Sequence, residues 1–155
     1  MRRVNIADPE FTYDPDDPEG FRAGTFRYGG KVGARNTGST VYEIPPGQSI
    51  CPYHYEVAEE EWLLVLIGRP TLRTPTGKEQ LEPFDSVFFP PGPDGAHAVL
   101  NGTDEPVRVL MYSDSRPPAV CVYPDSDKIG VDTGQADSSG NFLRSSRVGY
   151  YEGEV

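Results

Sequence analysis

The sequence predicts an all-β, antiparallel single domain, and three observations lead there. Seventeen glycines and 16 prolines punctuate 155 residues, about a fifth of the chain and above the usual globular share. Between Ser39 and Tyr123, short β-type runs alternate with turn residues at intervals of about ten, the pattern of a sandwich or barrel. No long window carries a clean helical stripe, although Glu59 to Ile67 taken alone fits strand or helix equally. A chain of 155 residues suits one domain with one core.

Residues 1–37 carry Pro9, Pro15, Pro18 and the Gly29-Gly30 pair, with Asp14, Asp16, Asp17 and Glu19 set among Phe11, Tyr13 and Phe21. This composition predicts an extended arm. Residues 38–123 form the expected barrel, with strands near 39–44, 50–56, 61–67, 70–74, 78–81, 86–89, 96–101, 107–112 and 119–123. Pro45-Pro46-Gly47, Thr74 to Gly77, Pro90 to Gly95 and Gly102-Thr103-Asp104 supply the fixed or positive φ that turns require. Asp85 is placed to cap the turn entering its strand, and Phe88, Phe89 and Met111 read as core. Residues 124–155 are rich in Asp, Ser and Gly but end in Phe142, Tyr150 and Tyr151, which predicts a tail whose aromatics dock on the domain or on a partner.

Fourteen Lys and Arg against 24 Asp and Glu leave a net charge of −10. That field repels phosphate backbones and anionic lipid, so nucleic acid and membrane are excluded as partners. Cys51 and Cys121 lie far apart in a chain too large to need staples, which points to a reducing, cytoplasmic setting. Neither has a basic neighbour in sequence, and neither is expected to be a nucleophile. The first residues carry charges and no apolar run, so neither a signal peptide nor a spanning helix is expected.

Chemistry concentrates around two histidines. In Tyr53-His54-Tyr55-Glu56 the strand period of two puts His54 and Glu56 on one face and the tyrosines on the other. Glu61 opens the apolar strand Glu61 to Ile67, where a carboxylate needs a partner or solvent. His97 opens a similar run, His97 to Asn101. If these four side chains meet, they form a His2Glu2 set whose donors suit one divalent first-row ion, such as Mn, Fe, Ni or Zn. Trp62, Tyr53 and Tyr55 alternate away from that point and read as sheet packing or a dimer surface.

The spacing resembles the cupin superfamily. Gly47, six residues, His54-Tyr55-Glu56, four residues, Glu61, six residues and Gly68 resemble its first motif. One residue is extra in the first gap, and Glu56 stands where the family has a second histidine. Pro90-Pro91-Gly92, four residues, His97, three residues and Asn101 resemble the second motif, with two extra residues before the histidine. The resemblance implies a small jelly-roll-like antiparallel barrel with a metal at its centre. It carries the ligand role to His54, Glu61 and His97, and suggests it for Glu56 by position alone.

Two functions follow. One is a metal-dependent enzyme of oxygenase or isomerase type acting on a small molecule, in which one unbound glutamate serves as base. The other is a non-catalytic small-molecule binding or sensor module whose tail reports occupancy. The resemblance also implies a homodimer, with the arm added to a neighbour's sheet and Phe11, Tyr13 or Phe21 buried there.

Overall fold

A computed structural model describes residues 1–154. Its strands are β1 (Gly24–Arg27), β2 (Thr37–Ile44), β3 (Tyr55–Glu56), β4 (Glu61–Ile67), β5 (Thr71–Thr74) and β6 (Gly77–Gln80), then β7 (Ser86–Phe89), β8 (Ala98–Leu100), β9 (Val107–Asp114), β10 (Ala119–Tyr123), β11 (Lys128–Asp132) and β12 (Gly140–Leu143). Short 3-10 turns complete the secondary structure. Among the described residues no helix is long and apolar enough to cross a membrane.

All strand pairs are antiparallel. One layer is the five-stranded sheet β1-β2-β9-β4-β7. The other is built from β12-β11-β10-β3 and β6-β5-β8, which residues 49–54 stitch together through isolated bridges Ser49↔Leu100 and His54↔His97. Both layers are sampled by a single core of Ile44, Leu63, Val65, Leu72, Leu81, Phe89, Val99, Val107 and Val109. The alternation that brings Leu63 and Val65 into the core turns Trp62 out, where it stacks on Tyr112 and meets Phe88 at a tilt. This is the all-β antiparallel sandwich that the strand pattern predicts, in the jelly-roll form that the resemblance implies.

Three strands lie outside the expected set. β1, inside the segment read as an extended arm, pairs with β2 along its whole length from Gly24↔Glu43 to Arg27↔Thr40. Thr12 bridges to Thr25 on the far side of β1. The arm aromatics engage their own chain: Tyr13 Oη donates to Glu43 at 2.7 Å, and Arg108 lies over the Phe11 ring. β11 and β12 come from the tail, where Ile129 and Val131 alternate beneath an otherwise polar composition. Phe88, expected in the core, stands on the outer face instead and is 41% exposed, because Phe89 takes the inward position. Tail aromatics Phe142, Tyr150 and Tyr151 are exposed rather than docked within the chain.

The two motif ends are tied by backbone. Gly47 N–H donates to the Asn101 carbonyl at 2.9 Å. Asn101 is fully buried and satisfied: Nδ2 donates to the carbonyls of Ile44 and Glu105, both at 2.8 Å, while Oδ1 accepts from Thr103 N–H and Oγ1. At the close of the first motif, Gly68 has φ 79° and a Cβ there would lie 2.6 Å from Val107 Cγ1. Positive φ and a tight approach to β9 both demand glycine. Asp85 Oδ2 accepts from Glu82 N–H at 2.8 Å, capping the turn before β7 as expected.

Asn101→Ala removes donors from the carbonyls of Ile44 and Glu105, and each buried group left without a partner costs about 1–3 kcal/mol. The expected result is a fall in urea midpoint with an unchanged slope. A midpoint equal to that of the parent would show that water replaces the amide there.

Candidate metal centre

His54 and His97 face each other because their backbones pair. His54 N–H donates to the His97 carbonyl at 3.1 Å, and His97 N–H donates to the His54 carbonyl at 2.8 Å. Opposed residues of such a pair project to the same face, and the imidazole centroids lie 4.7 Å apart. Glu61 enters from the other layer as the first residue of β4, hydrogen-bonded in register with Phe89. Phe89 in turn stacks on His97, 3.7 Å between centroids and 10° between planes. Tyr123 stacks on His54 at 5.9 Å.

The donor set has one orientation. His54 Nδ1 lies 3.0 Å from the Pro52 carbonyl and His97 Nδ1 lies 2.9 Å from the Gly95 carbonyl. A carbonyl only accepts, so both Nδ1 atoms carry the proton and both Nε2 atoms present lone pairs. The loop that offers the Gly95 carbonyl turns so tightly that a Cβ on Gly95 would lie 1.8 Å from the Pro90 carbonyl oxygen. Glu61 Oε2 is 3.6 Å from His97 Nε2 and 3.9 Å from His54 Nε2, and it is buried without a hydrogen-bond partner. Three acceptors therefore converge within 4.8 Å of one another. With the imidazoles neutral and the Glu61 carboxylate ionised, their lone pairs repel. A cation at their centre satisfies all of them, and the carbonyl-anchored Nδ1–H groups are the outer partners that fix histidine ligands elsewhere.

Burial governs the titration. It pushes His97 down to about 4, with His54 adding to the effect. His54 is lowered by the same burial. Glu61 is pushed up to about 7 by burial first, then by Glu59 and Asp114. Neutral imidazoles are the form that binds metal.

Of the four residues singled out from sequence, His54, Glu61 and His97 come together. Glu56 stands beside them, with Oε1 3.7 Å from His54 Nε2, but outside the set of mutually close ligand atoms. It also lines an open cleft with Glu59, Val120 and Asp132. Burial, then Glu61 and Glu59, pushes its carboxyl up to about 8. Cys51 Sγ is 3.6 Å from His54 Nδ1, and burial pushes its thiol up to about 12, consistent with an unreactive filler.

The triad sits at one side of a cavity of about 340 Å³ whose other walls include Asp17, Phe21, Thr25, Arg27, Tyr42 and Met111. Sequence reasoning assigned none of these to the site. For Tyr42 the signal was present in the alternation of β2, which turns Tyr42 and Ile44 to the inner side. For Asp17, Phe21, Thr25 and Arg27 it was absent, because nothing in their local pattern shows that the arm folds back over the site.

The fold is a small antiparallel jelly roll in which two histidines and a glutamate converge between the layers, a donor set that could hold a metal ion. The Cupin_2 family model, a cupin domain, matches residues 40–113, so this part of the chain is a cupin domain. A candidate sugar phosphate isomerase from Acidithiobacillus ferrooxidans is 27% identical, with 83% of this chain and 81% of that one covered and a TM-score of 0.75. A sugar phosphate isomerase of the same superfamily from Silicibacter pomeroyi is 20% identical over 97% of this chain and 98% of that one, with a TM-score of 0.81. The polyketide cyclase RemF from Streptomyces resistomycificus is 25% identical over 77% and 83%, with a TM-score of 0.62. No curated protein matches the sequence significantly.

In chelator-treated protein the Glu61 carboxyl is raised from 4.5 to about 7. Its contribution to stability is full below the lower value and is lost as pH rises through the upper one. Glu61→Gln is expected to stabilise the metal-free fold by roughly 1–3 kcal/mol at pH 8, where the parent carries a buried charge, and to leave it nearly unchanged at pH 4. His97 titrates in the opposite sense, losing stability as pH falls from 6.5 towards 4, but it is common to both proteins and cancels. Urea titrations at the two pH values decide; equal shifts at both would show that burial of this carboxylate carries no cost.

Proposed function

We propose that this chain is a metal-dependent enzyme of isomerase type acting on a small polar substrate. The observation that carries the reading is the convergence of two imidazole lone pairs and a carboxylate oxygen without a hydrogen-bond partner on the wall of a cavity. His54, Glu61 and His97 would hold one divalent first-row ion, Mn, Fe, Ni or Zn. When bound, such an ion supplies a Lewis acid that polarises a substrate carbonyl. The likeness to a candidate sugar phosphate isomerase at 27% identity favours isomerisation over oxygenation.

The remaining work falls to the protein's own groups. Glu56, close to the triad and outside it, is the carboxylate available to take and return a proton next to the reacting carbon. Tyr42 has its phenol raised above the ordinary value, with burial the largest cause, so it stays protonated and donates to a substrate oxygen. Phe89 and Tyr123, stacked on the two imidazoles, hold the rings in place and keep water from their faces.

A homodimer belongs to the same reading. With the arm engaged on its own barrel, the free surfaces are the outer stripe of Trp62, Phe88 and Tyr112 and the tail residues Phe142, Leu143, Val148, Tyr150 and Tyr151. Both are exposed apolar surfaces of the size that a second copy of the chain would cover. The free thiols support a cytoplasmic setting.

Purified protein is expected to hold close to one metal equivalent per chain by elemental analysis. His97→Ala should weaken metal binding by more than about 100-fold, since even the outer partners of ligands are worth about 10–100-fold. Glu56→Ala should change metal affinity less and lower turnover more. Protein grown with ample metal that remains empty ends the proposal, and equal losses of affinity would make Glu56 a full ligand. By light scattering, the parent should run at twice its 17.1 kDa chain mass and Trp62→Ser as a monomer. A parent that is itself monomeric refutes the pairing.

A further inference from the structure

The cavity beside the triad has a second pole. β1 pairs with β2 so that Thr25 opposes Tyr42 and Arg27 opposes Thr40. Opposed residues share a face, and Tyr42 lines the cavity, so Thr25 and Arg27 project to the inner side as well. Both line the cavity wall. Arg27 is the only Lys or Arg among the described residues that line it. Arg22, Arg69, Arg73, Arg108 and Arg144 are each paired with a carboxylate, whereas no ion pair involves Arg27 among the described residues. Arg27 is thus an exposed cation on the cavity wall that is free of an ion pair among the described residues, in a chain of net charge −10.

Its distance from the triad is set by the sheet. Glu61 is on β4 and Arg27 on β1, with β9 and β2 between them. Three strand spacings of about 4.8 Å, and a register that sets Arg27 level with Leu63, two residues along from Glu61, separate their backbones by roughly 16 Å. Glutamate and arginine side chains reaching inward close much of that gap, so a ligand spanning both ends has the length of a small sugar carrying one charged terminus. The cavity of about 340 Å³ is at the lower end for a small-molecule site. Asp17, from the arm, lines the same space and is the group that opposes an anion there.

We infer that Arg27, with the Thr25 hydroxyl beside it, is the anion-recognition end of the site, taking the phosphate or carboxylate terminus of a substrate whose reacting oxygens lie against the triad. Guanidinium presents a planar fork of donors that matches such oxyanions bidentately. The arm thereby becomes part of the substrate site: it delivers the cation on β1 and adds Asp17 and Phe21 as wall. The inference rests on the proposed metal-dependent enzyme for the other end of the substrate, but Arg27 and its partner anion are tested separately.

The experiment is calorimetric titration of metal-loaded full-length protein with fructose 6-phosphate, fructose, glucuronate and inorganic phosphate, with metal content measured on every variant. The phosphorylated sugar, or glucuronate, is expected to bind at least tenfold more tightly than fructose; which of the two leads identifies the anion as phosphate or carboxylate. Arg27→Met should bring the anionic sugars to the level of fructose with metal content unchanged, Arg27→Lys should restore part of the difference, and Asp17→Asn should tighten anion binding. Anionic and neutral sugars of equal affinity, an Arg27→Met protein that keeps the parent's preference, or no binding of any anionic probe at millimolar concentration would each overturn the assignment. Protein that takes up no metal yet prefers anions through Arg27 would instead remove the metal reading and leave this one standing.

Discussion

The backbone bridge between His54 and His97 is the constraint on which the rest of the site depends. Two reciprocal hydrogen bonds, 3.1 and 2.8 Å, bring together segments 43 residues apart and stitch two parts of the second layer into one surface. Because opposed residues in an antiparallel pair project to the same face, the bridge alone decides that the two imidazoles meet. A one-residue slip in that pairing would send one ring to the outside. The register is held on one side by Ile50 N–H donating to Val99 and on the other by Gly92 N–H donating to Glu56.

Around that pair the protein places groups that are unfavourable without a cation. Glu61 Oε2 is removed from water and given no donor, while each imidazole directs its only proton to a carbonyl. A fold held mainly by apolar packing tolerates this conflict because Leu63, Val65 and Phe89, next to Glu61 in the sheet, belong to the buried core. The convergence of acceptors is what separates this site from a pair of histidines satisfied by ordinary hydrogen bonds. It is a property of three chain segments that no single one displays.

The arm has a comparable dual part. Thr12 bridges β1, Gln48 accepts from Gly20 and Arg22 N–H, and Tyr13 binds Glu43, so residues from the first quarter of the chain are tied to the sandwich at several points. Those ties place Asp17, Phe21, Thr25 and Arg27 along the cavity. The cavity wall and the docking of the arm therefore share one strand, and the pocket's charge pattern depends on whether β1 completes the sheet.

Much of the sandwich and the triad is legible in the amino-acid sequence alone. Turn residues recur where strands must end, the period of two separates Leu63 and Val65 from Trp62, and the spacings from Gly47 to Gly68 and from Pro90 to Asn101 single out His54, Glu61 and His97. These are local signals, carried by backbone sterics and by alternation along one strand. What tertiary structure decided is which strands lie side by side. β1 reads as arm because four residues with a glycine and a threonine have no intrinsic claim to a sheet, and they gain one only from the unpaired edge of β2. Phe88 and Phe89 are indistinguishable as neighbours in sequence until pairing with Trp62 and Glu61 sends one out and one in. Glu56, one step along the strand face from His54, satisfies every local rule for a ligand, yet it stands apart from the mutual cluster because Glu61 arrives from the opposite layer nearer to His97. Local pattern fixes the face on which a side chain projects; the distance between two faces is set by packing, and that is why the donors could be named from sequence while the cavity, its arginine and the place of Glu56 could not.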